Sequence, residues 1–211
     1  MAFAATFGMK IAHCHLVMEG GNCLSNGRGL CISSTTLVDQ NQERGHDLHA
    51  VGRMLHRYFG FGKWTSILPI IGETTGHIDL FLNICGPNTV FLAAYDPEED
   101  RDNAVRMDAN AGALSEIVTE DGRPLEIIRI PQPAARDDVW RSYTNVIYGN
   151  DVVLVPQFPD FSPELDRQVL EILRRAFPER RVVGIDSSKI VTKRGGLHCL
   201  ALSLPKMPAL Q

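Results

Sequence analysis

Nothing in the sequence supplies a CxxC pair or a zinc-ligand spacing, which sets aside a structural zinc module. The five cysteines, Cys14, Cys23, Cys31, Cys85 and Cys199, are odd in number and scattered through strand-like segments. That pattern is expected of reduced thiols in a cytoplasmic protein. There is no basic excess either. Lys and Arg number 21 against 25 Asp and Glu, a net charge of −4, so neither nucleic acid nor a membrane surface is an expected partner. No apolar run approaches the roughly 20 residues that span a bilayer. The opening MAFAATFGMK has no basic n-region and meets Lys10 early, which argues against a signal peptide. No low-complexity linker divides the chain. One domain over 1–211 is expected, with a core burying roughly 70% of the unfolded surface.

Three amphipathic helices are present in the pattern. One lies near 46–59, with Leu48, Val51 and Leu55 on a stripe; a second lies near 100–118, with Ala104, Met107, Ala111, Leu114 and Val118. The third, 163–177, carries Leu165, Val169, Leu173 and Phe177, with Ser162 as N-cap and Pro163 at the first helical position. Between them run GLCISST, TSILPI, TVFLAAY, EIIRIP, TNVIYG, DVVLVP, RVVGID and LHCLALSL, which read as strands. IYGNDVVLVP holds a Gly-Asn turn between two of these, a hairpin signal. The helix centres fall near 52, 109 and 170. The spacing is an internal period of about 60 residues, each unit reading strand, strand, helix, strand, and it suggests a closed or fan-like array of one copied module.

Polar clusters interrupt this scaffold at MEGGN (18–22), GHID (76–79), SYTN (142–145) and GGLHC (195–199). Glu19 and His77 are 58 residues apart, one period; His77 and Cys199 are 122 apart, two periods; Asn145 falls near the station between. Around a common axis, a carboxylate, an imidazole, an amide and a thiol would converge. Taken singly, each cluster is equally a turn or a strand edge, and a lone cysteine is usually a small core hydrophobe. The shared phase is what sets them apart. A cysteine attacks as thiolate, and a histidine carries protons near neutral pH when a carboxylate orients it. Asp79, two residues from His77, would share its face on a strand. Glycines beside Glu19, His77 and Cys199 would let a ligand approach backbone. Two carboxylates beside a thiol suit a planar cation such as guanidinium. His13-x-His15 and the helix histidines His46, His49 and His56 lack a further spaced ligand, so no metal is expected.

MEGGNxLSNGxGxC, then GHID, SYTNxxxxNxxVxVPxF, VVGID and GGLHC, in this order, resemble the agmatine deiminase and Porphyromonas-type peptidylarginine deiminase family over about Phe3 to Pro205. The resemblance implies the pentein fold, an α/β-propeller of five ββαβ modules around a central site, of which about three are present. It implies Cys199 as nucleophile on the guanidinium carbon. His77 would protonate departing ammonia and then activate water, Asp79 would bind guanidinium nitrogens, and Glu19 would orient His77. Asn145 and Gly196 would lie with Asp79 at the substrate. No cofactor is implied.

Two features depart from the family. An Arg-Asp motif one module before EGGN would fall before Met1, so the second guanidinium-binding aspartate is not supplied, and FAATFGM reads as the end of a helix. KRGGLHCLALSLP also differs from the Gly-rich, Asn-containing lead and Gln-rich sequel of agmatine deiminases, so the substrate stays open among agmatine, arginine and peptidylarginine. The expected activity is hydrolysis of a guanidino group to a ureido group and ammonia. Alternatives are an amidinotransferase of the same superfamily and a non-catalytic remnant or interaction module. A papain-like protease is disfavoured, because its cysteine precedes its histidine and starts a helix. A homo-oligomer or a completing chain would cover the exposed strand edges that a partial ring leaves.

Overall fold

The strand–strand–helix–strand pattern is realised three times in the computed structural model, which describes residue 6 and residues 8–202. The first module comprises β1 (Cys23–Ser25), β2 (Leu30–Ser34), α1 (Thr36–Gln42), α2 (Leu48–Phe59) and β3 (Lys63–Ile67). The second runs β4 (Leu82–Ile84), β5 (Thr89–Tyr95), α3 (Arg101–Ser115) and β6 (Glu126–Gln132); the third runs β7 (Ile147–Tyr148), β8 (Val152–Gln157), α4 (Pro163–Ala176) and β9 (Arg181–Asp186). A short helix α5 (Ser188–Val191) follows. In each three-stranded sheet the first two strands pair antiparallel and the last two parallel. A parallel pair cannot be closed by a tight turn, so the helix of each module is its crossover. The hairpin expected at Gly149-Asn150 is present, with Ile147 opposite Leu154.

Each helix lies over its sheet by the stripe that the periodicity marks. Val51 and Leu55, Met107 and Leu114, and Val169 and Leu173 are all fully buried. The stripe is narrower than expected at two ends. Leu48, the first residue of α2, is 47% exposed, and Val118 lies beyond the end of α3 and is 46% exposed. Pro163 opens α4 as expected, but Ser162 caps it without a side-chain hydrogen bond. The modules share their cores: Ile32 of the first packs in one cluster with Phe81, Leu92 and Met107 of the second. Likewise Phe91 and Ile130 of the second join Val153, Phe158 and Leu173 of the third. The buried polar residues of β2 are satisfied within and just beyond the module, since Ser33 Oγ accepts from Trp64 Nε1 of β3 at 3.0 Å and Ser34 Oγ donates to the carbonyl of Gly76, in the segment leading to β4, at 2.6 Å.

Two expected strand readings do not hold. His198–Leu200 is a 3-10 turn, and Ala201–Leu202 belong to no element, so LHCLALSL is not a strand through its described part. Ile78–Leu80 is also a 3-10 turn, with His77 as its N-cap, so His77 and Asp79 do not share a strand face. Most of FAATFGM and the end of LHCLALSL lie outside the described residues.

Candidate active site

Three of the polar clusters owe their common phase to one architectural position, the segment that leads into the first strand of a module, whereas GGLHC is followed by no strand among the described residues. A 3-10 turn, Gly20–Asn22, runs into β1; the turn at Ile78–Leu80 leads into β4; SYTN immediately precedes β7. Each is tied down by polar contacts. The Ser34 amide donates to Asn22 Oδ1 at 2.8 Å, holding the first turn on β2. Glu73 accepts from the Thr75 and Gly76 amides at 2.9 and 2.7 Å and so shapes the chain entering His77. Tyr143 is locked by its amide on Gln132 Oε1 at 2.9 Å and by its hydroxyl on Asp166 Oδ1 at 2.6 Å. Asn83 Nδ2 donates to the Thr144 carbonyl at 2.9 Å.

The second and third of these segments, with the GGLHC cluster, wall a cavity of about 540 Å³ lined by His77, Asp79, Asn145, Gly195, Gly196 and Cys199, together with Glu73, Asp138, Trp140 and Arg194. Its volume suits a small molecule. Cys199 is exposed, whereas Asp79 and Asn145 are buried. Glu19 does not line the cavity. It reaches His77 from outside, with His77 Nε2 2.5 Å from Glu19 Oε2. That hydrogen bond is the main reason the Glu19 carboxyl is held below its ordinary value. The second ring nitrogen, Nδ1, lies beside Gly21.

Asp79 is the best-buried charged group here, its side chain 2% exposed. Its Oδ2 lies 2.8 Å from His198 Nδ1, while Oδ1 is buried and has no hydrogen-bond partner among the described residues. Asn145 joins two of the turns. Its Nδ2 donates to the Asp79 carbonyl at 3.3 Å and its Oδ1 accepts the His198 amide at 2.8 Å. Two of the glycines make room for protein side chains. A Cβ on Gly21 would lie 2.6 Å from His77 Nδ1 and 3.2 Å from Asp79 Oδ1, and one on Gly196 would lie 2.2 Å from Asn145 Oδ1. Gly21 thus admits His77 and Asp79 to one spot, and Gly196 admits Asn145 to the thiol-bearing turn.

The residues singled out from the sequence therefore converge, with Glu19 one layer behind. Sequence reasoning gave no role to His198, although it stands beside Cys199 in the GGLHC cluster and is titratable. Trp140 and Asp138 at the cavity carried no periodic signal, since they lie in the irregular segment between β6 and SYTN. Of the other cysteines, Cys23 and Cys31 lie in β1 and β2 and Cys85 packs against the core just past β4, whereas Cys14 lies in no strand. Cys31 is buried, and Cys14, Cys23 and Cys85 are half-buried. Burial pushes the Cys85 thiol up to about 12.

Comparison with known proteins agrees with this architecture. An agmatine deiminase of Enterococcus faecalis superposes with a TM-score of 0.82 at 22% identity, over 94% of this chain and 60% of that one. The C. jejuni agmatine deiminase with substrate bound superposes at 0.77 and 20% identity, over 93% and 59%. These likenesses show the fold, an α/β pentein of ββαβ modules. Among curated relatives, a protein of Marinomonas sp. named "Putative agmatine deiminase" is 27% identical over 96% of this chain. The chain spans 57–60% of the length of the curated relatives it matches. The family described as "Porphyromonas-type peptidyl-arginine deiminase" matches residues 1–205. With nearly every residue covered by that match, the chain belongs to the Porphyromonas-type peptidyl-arginine deiminase family.

Proposed function

We propose that the cavity hydrolyses a guanidino group to a ureido group with release of ammonia. The observation that carries this reading is a buried carboxylate oxygen without a partner, Asp79 Oδ1, in the wall of a cavity that also holds an exposed thiol. A buried anion with an uncommitted oxygen is costly unless a cation meets it. A guanidinium does so with a planar set of N–H donors. In this reading Asp79 grips the guanidinium nitrogens, Asn145 and Gly196 shape the adjoining wall, and Cys199 attacks the central carbon as thiolate. The tetrahedral adduct expels ammonia, which takes its proton from His77, and an S-alkylthiouronium remains. His77 then removes a proton from water as the water adds to the same carbon. The C–S bond breaks, and the ureido product leaves. Glu19, hydrogen-bonded to His77 Nε2, fixes which imidazole nitrogen does this work and stabilises its protonated form.

The substrate class is a small guanidino compound such as agmatine or arginine, or an arginine side chain in a peptide. The relatives' names support the first of these. Residues 1–211 act as one deiminase-like domain in the cytoplasm, without metal or organic cofactor, and further modules or a second chain complete the ring. Among the described residues no helix is long and apolar enough to cross a membrane.

The reading is tested by intact-mass labelling with a haloacetamidine, a guanidinium mimic carrying a thiol-reactive carbon. One adduct, mapped to Cys199 and suppressed by agmatine or an arginine peptide, is expected. Indiscriminate labelling of all five cysteines would overturn it. Ammonia release that needs no added amine separates hydrolysis from amidino transfer.

A further inference from the structure

His198 contributes two groups to the site, and both act on its neighbours. Its amide is taken by Asn145 Oδ1 at 2.8 Å, and its Nδ1 meets Asp79 Oδ2 at 2.8 Å. Asn145 in turn holds the Asp79 carbonyl. The three residues close a loop of hydrogen bonds, although they come from three different segments of the chain. The backbone of the thiol-bearing turn is thereby registered to Asp79 through Asn145, and its side chain reaches the carboxylate itself.

We propose that His198 is a positioning residue that aligns Asp79 for the guanidinium, so that one dipeptide supplies both the thiol and the setting of the carboxylate. This rests on the deiminase reading for the identity of the cation. The terminal torsion of an aspartate is broad and roughly two-fold, so a buried carboxylate with no fixed donor has no unique orientation. Among the described residues, His198 is the one donor to the Asp79 carboxylate. An imidazole donates through Nδ1 a single N–H, which fixes one oxygen and leaves the other free. An arginine in its place would present a fork that engages both oxygens and consumes the charge needed by the substrate. The ring is itself pre-set, because its backbone is pinned on Asn145 and the preceding Leu197 is buried.

The experiment compares alkylation of Cys199 by chloroacetamidine and by the neutral, nearly isosteric chloroacetamide. In both a C–S bond forms and chloride leaves, but only the amidine presents a cation to Asp79. A hydrogen bond to a charged group contributes roughly one to two orders of magnitude. The wild-type protein should therefore react faster with the amidine, and His198→Ala should lower the amidine-to-amide rate ratio about tenfold or more while the amide rate stays within about threefold. His198→Asn, whose Nδ2 occupies the place of Nδ1, should restore the ratio. A ratio unchanged in His198→Ala, equal slowing with both reagents, an asparagine no better than alanine, or a wild type without amidine preference would each overturn the proposal. Turnover does not enter the measurement. Ammonia release by the wild-type protein, assayed separately, reports on the deiminase reading alone.

Discussion

Replacing Asn145 with alanine strips the junction between the Asp79 turn and the Cys199 turn of its side-chain link. The side chain is 1% exposed, and its loss leaves the His198 amide and the Asp79 carbonyl without their partners at 2.8 and 3.3 Å. An orphaned buried polar group costs about 1–3 kcal/mol. The shorter contact, to a partly buried amide, contributes roughly 1–2 kcal/mol and the longer one about 1 kcal/mol. Asn145→Ala should then lose about 2–3 kcal/mol in urea denaturation followed by circular dichroism, with the slope unchanged, and melt roughly 5–10 °C lower. Asn145→Asp keeps the acceptor for His198 but turns a carboxylate toward the Asp79 carbonyl, so it should be destabilised as well. A loss below about 0.5 kcal/mol in the alanine variant would refute the claim that this amide fastens the two turns together.

The Gly196 contact gives a coupled test. A Cβ there would meet Asn145 Oδ1 at 2.2 Å, so Gly196→Ala should destabilise the protein, and much less so when Asn145 is already alanine. Additive losses in the double mutant would remove the steric argument. Glu19 predicts a pH dependence. Its folded-state value is depressed below 4.5 by the His77 hydrogen bond, so the stability it contributes is present above about 4.5 and is lost as pH falls through the folded value. Because the side chain is 51% exposed, solvent limits the effect to under about 1 kcal/mol. The stability gap between wild type and Glu19→Gln should shrink from pH 7 to pH 3; a gap that widens would contradict the sign. Iodoacetamide at neutral pH should alkylate native Cys199 well before Cys85, whose thiol is pushed up to about 12, or the buried Cys31. Comparable rates by peptide mapping would show that the thiols are not differentiated as the structure has them.

The modular repeat was legible because it is written in helix periodicity, and Val51, Leu55, Met107, Leu114, Val169 and Leu173 all point where that period places them. The common placing of Glu19, His77 and Asn145 is legible for the same reason, since equal phase in copied modules means equal position, and Cys199 joins them from the 3-10 turn at His198–Leu200. What failed is local and has tertiary causes. LHCLALSL alternates like a strand, but the His198 amide bonds to Asn145 Oδ1, an acceptor in another segment, and its backbone turns at 198–200 instead. For GHID the sequence leaves a turn and a strand open, and the turn at Ile78–Leu80 sinks Ile78 into the core shared by two modules and brings Asp79 to His198. Helix α1 gave no periodic signal. Asn41 secures it by accepting the Val17 amide and donating to the Val17 and Leu37 carbonyls, contacts that no short-range pattern encodes. The adjacency of His198 to Cys199 says nothing of its partner 119 residues earlier.

The most direct test of the account is ammonia release from guanidino compounds by the wild-type protein, Cys199→Ala and Cys85→Ala, with the ureido product quantified beside it. The account predicts stoichiometric ammonia and ureido product from wild type, nearly unchanged release from Cys85→Ala, and none from Cys199→Ala. Equal loss in both cysteine variants, or release that survives without the Cys199 thiol, would contradict it.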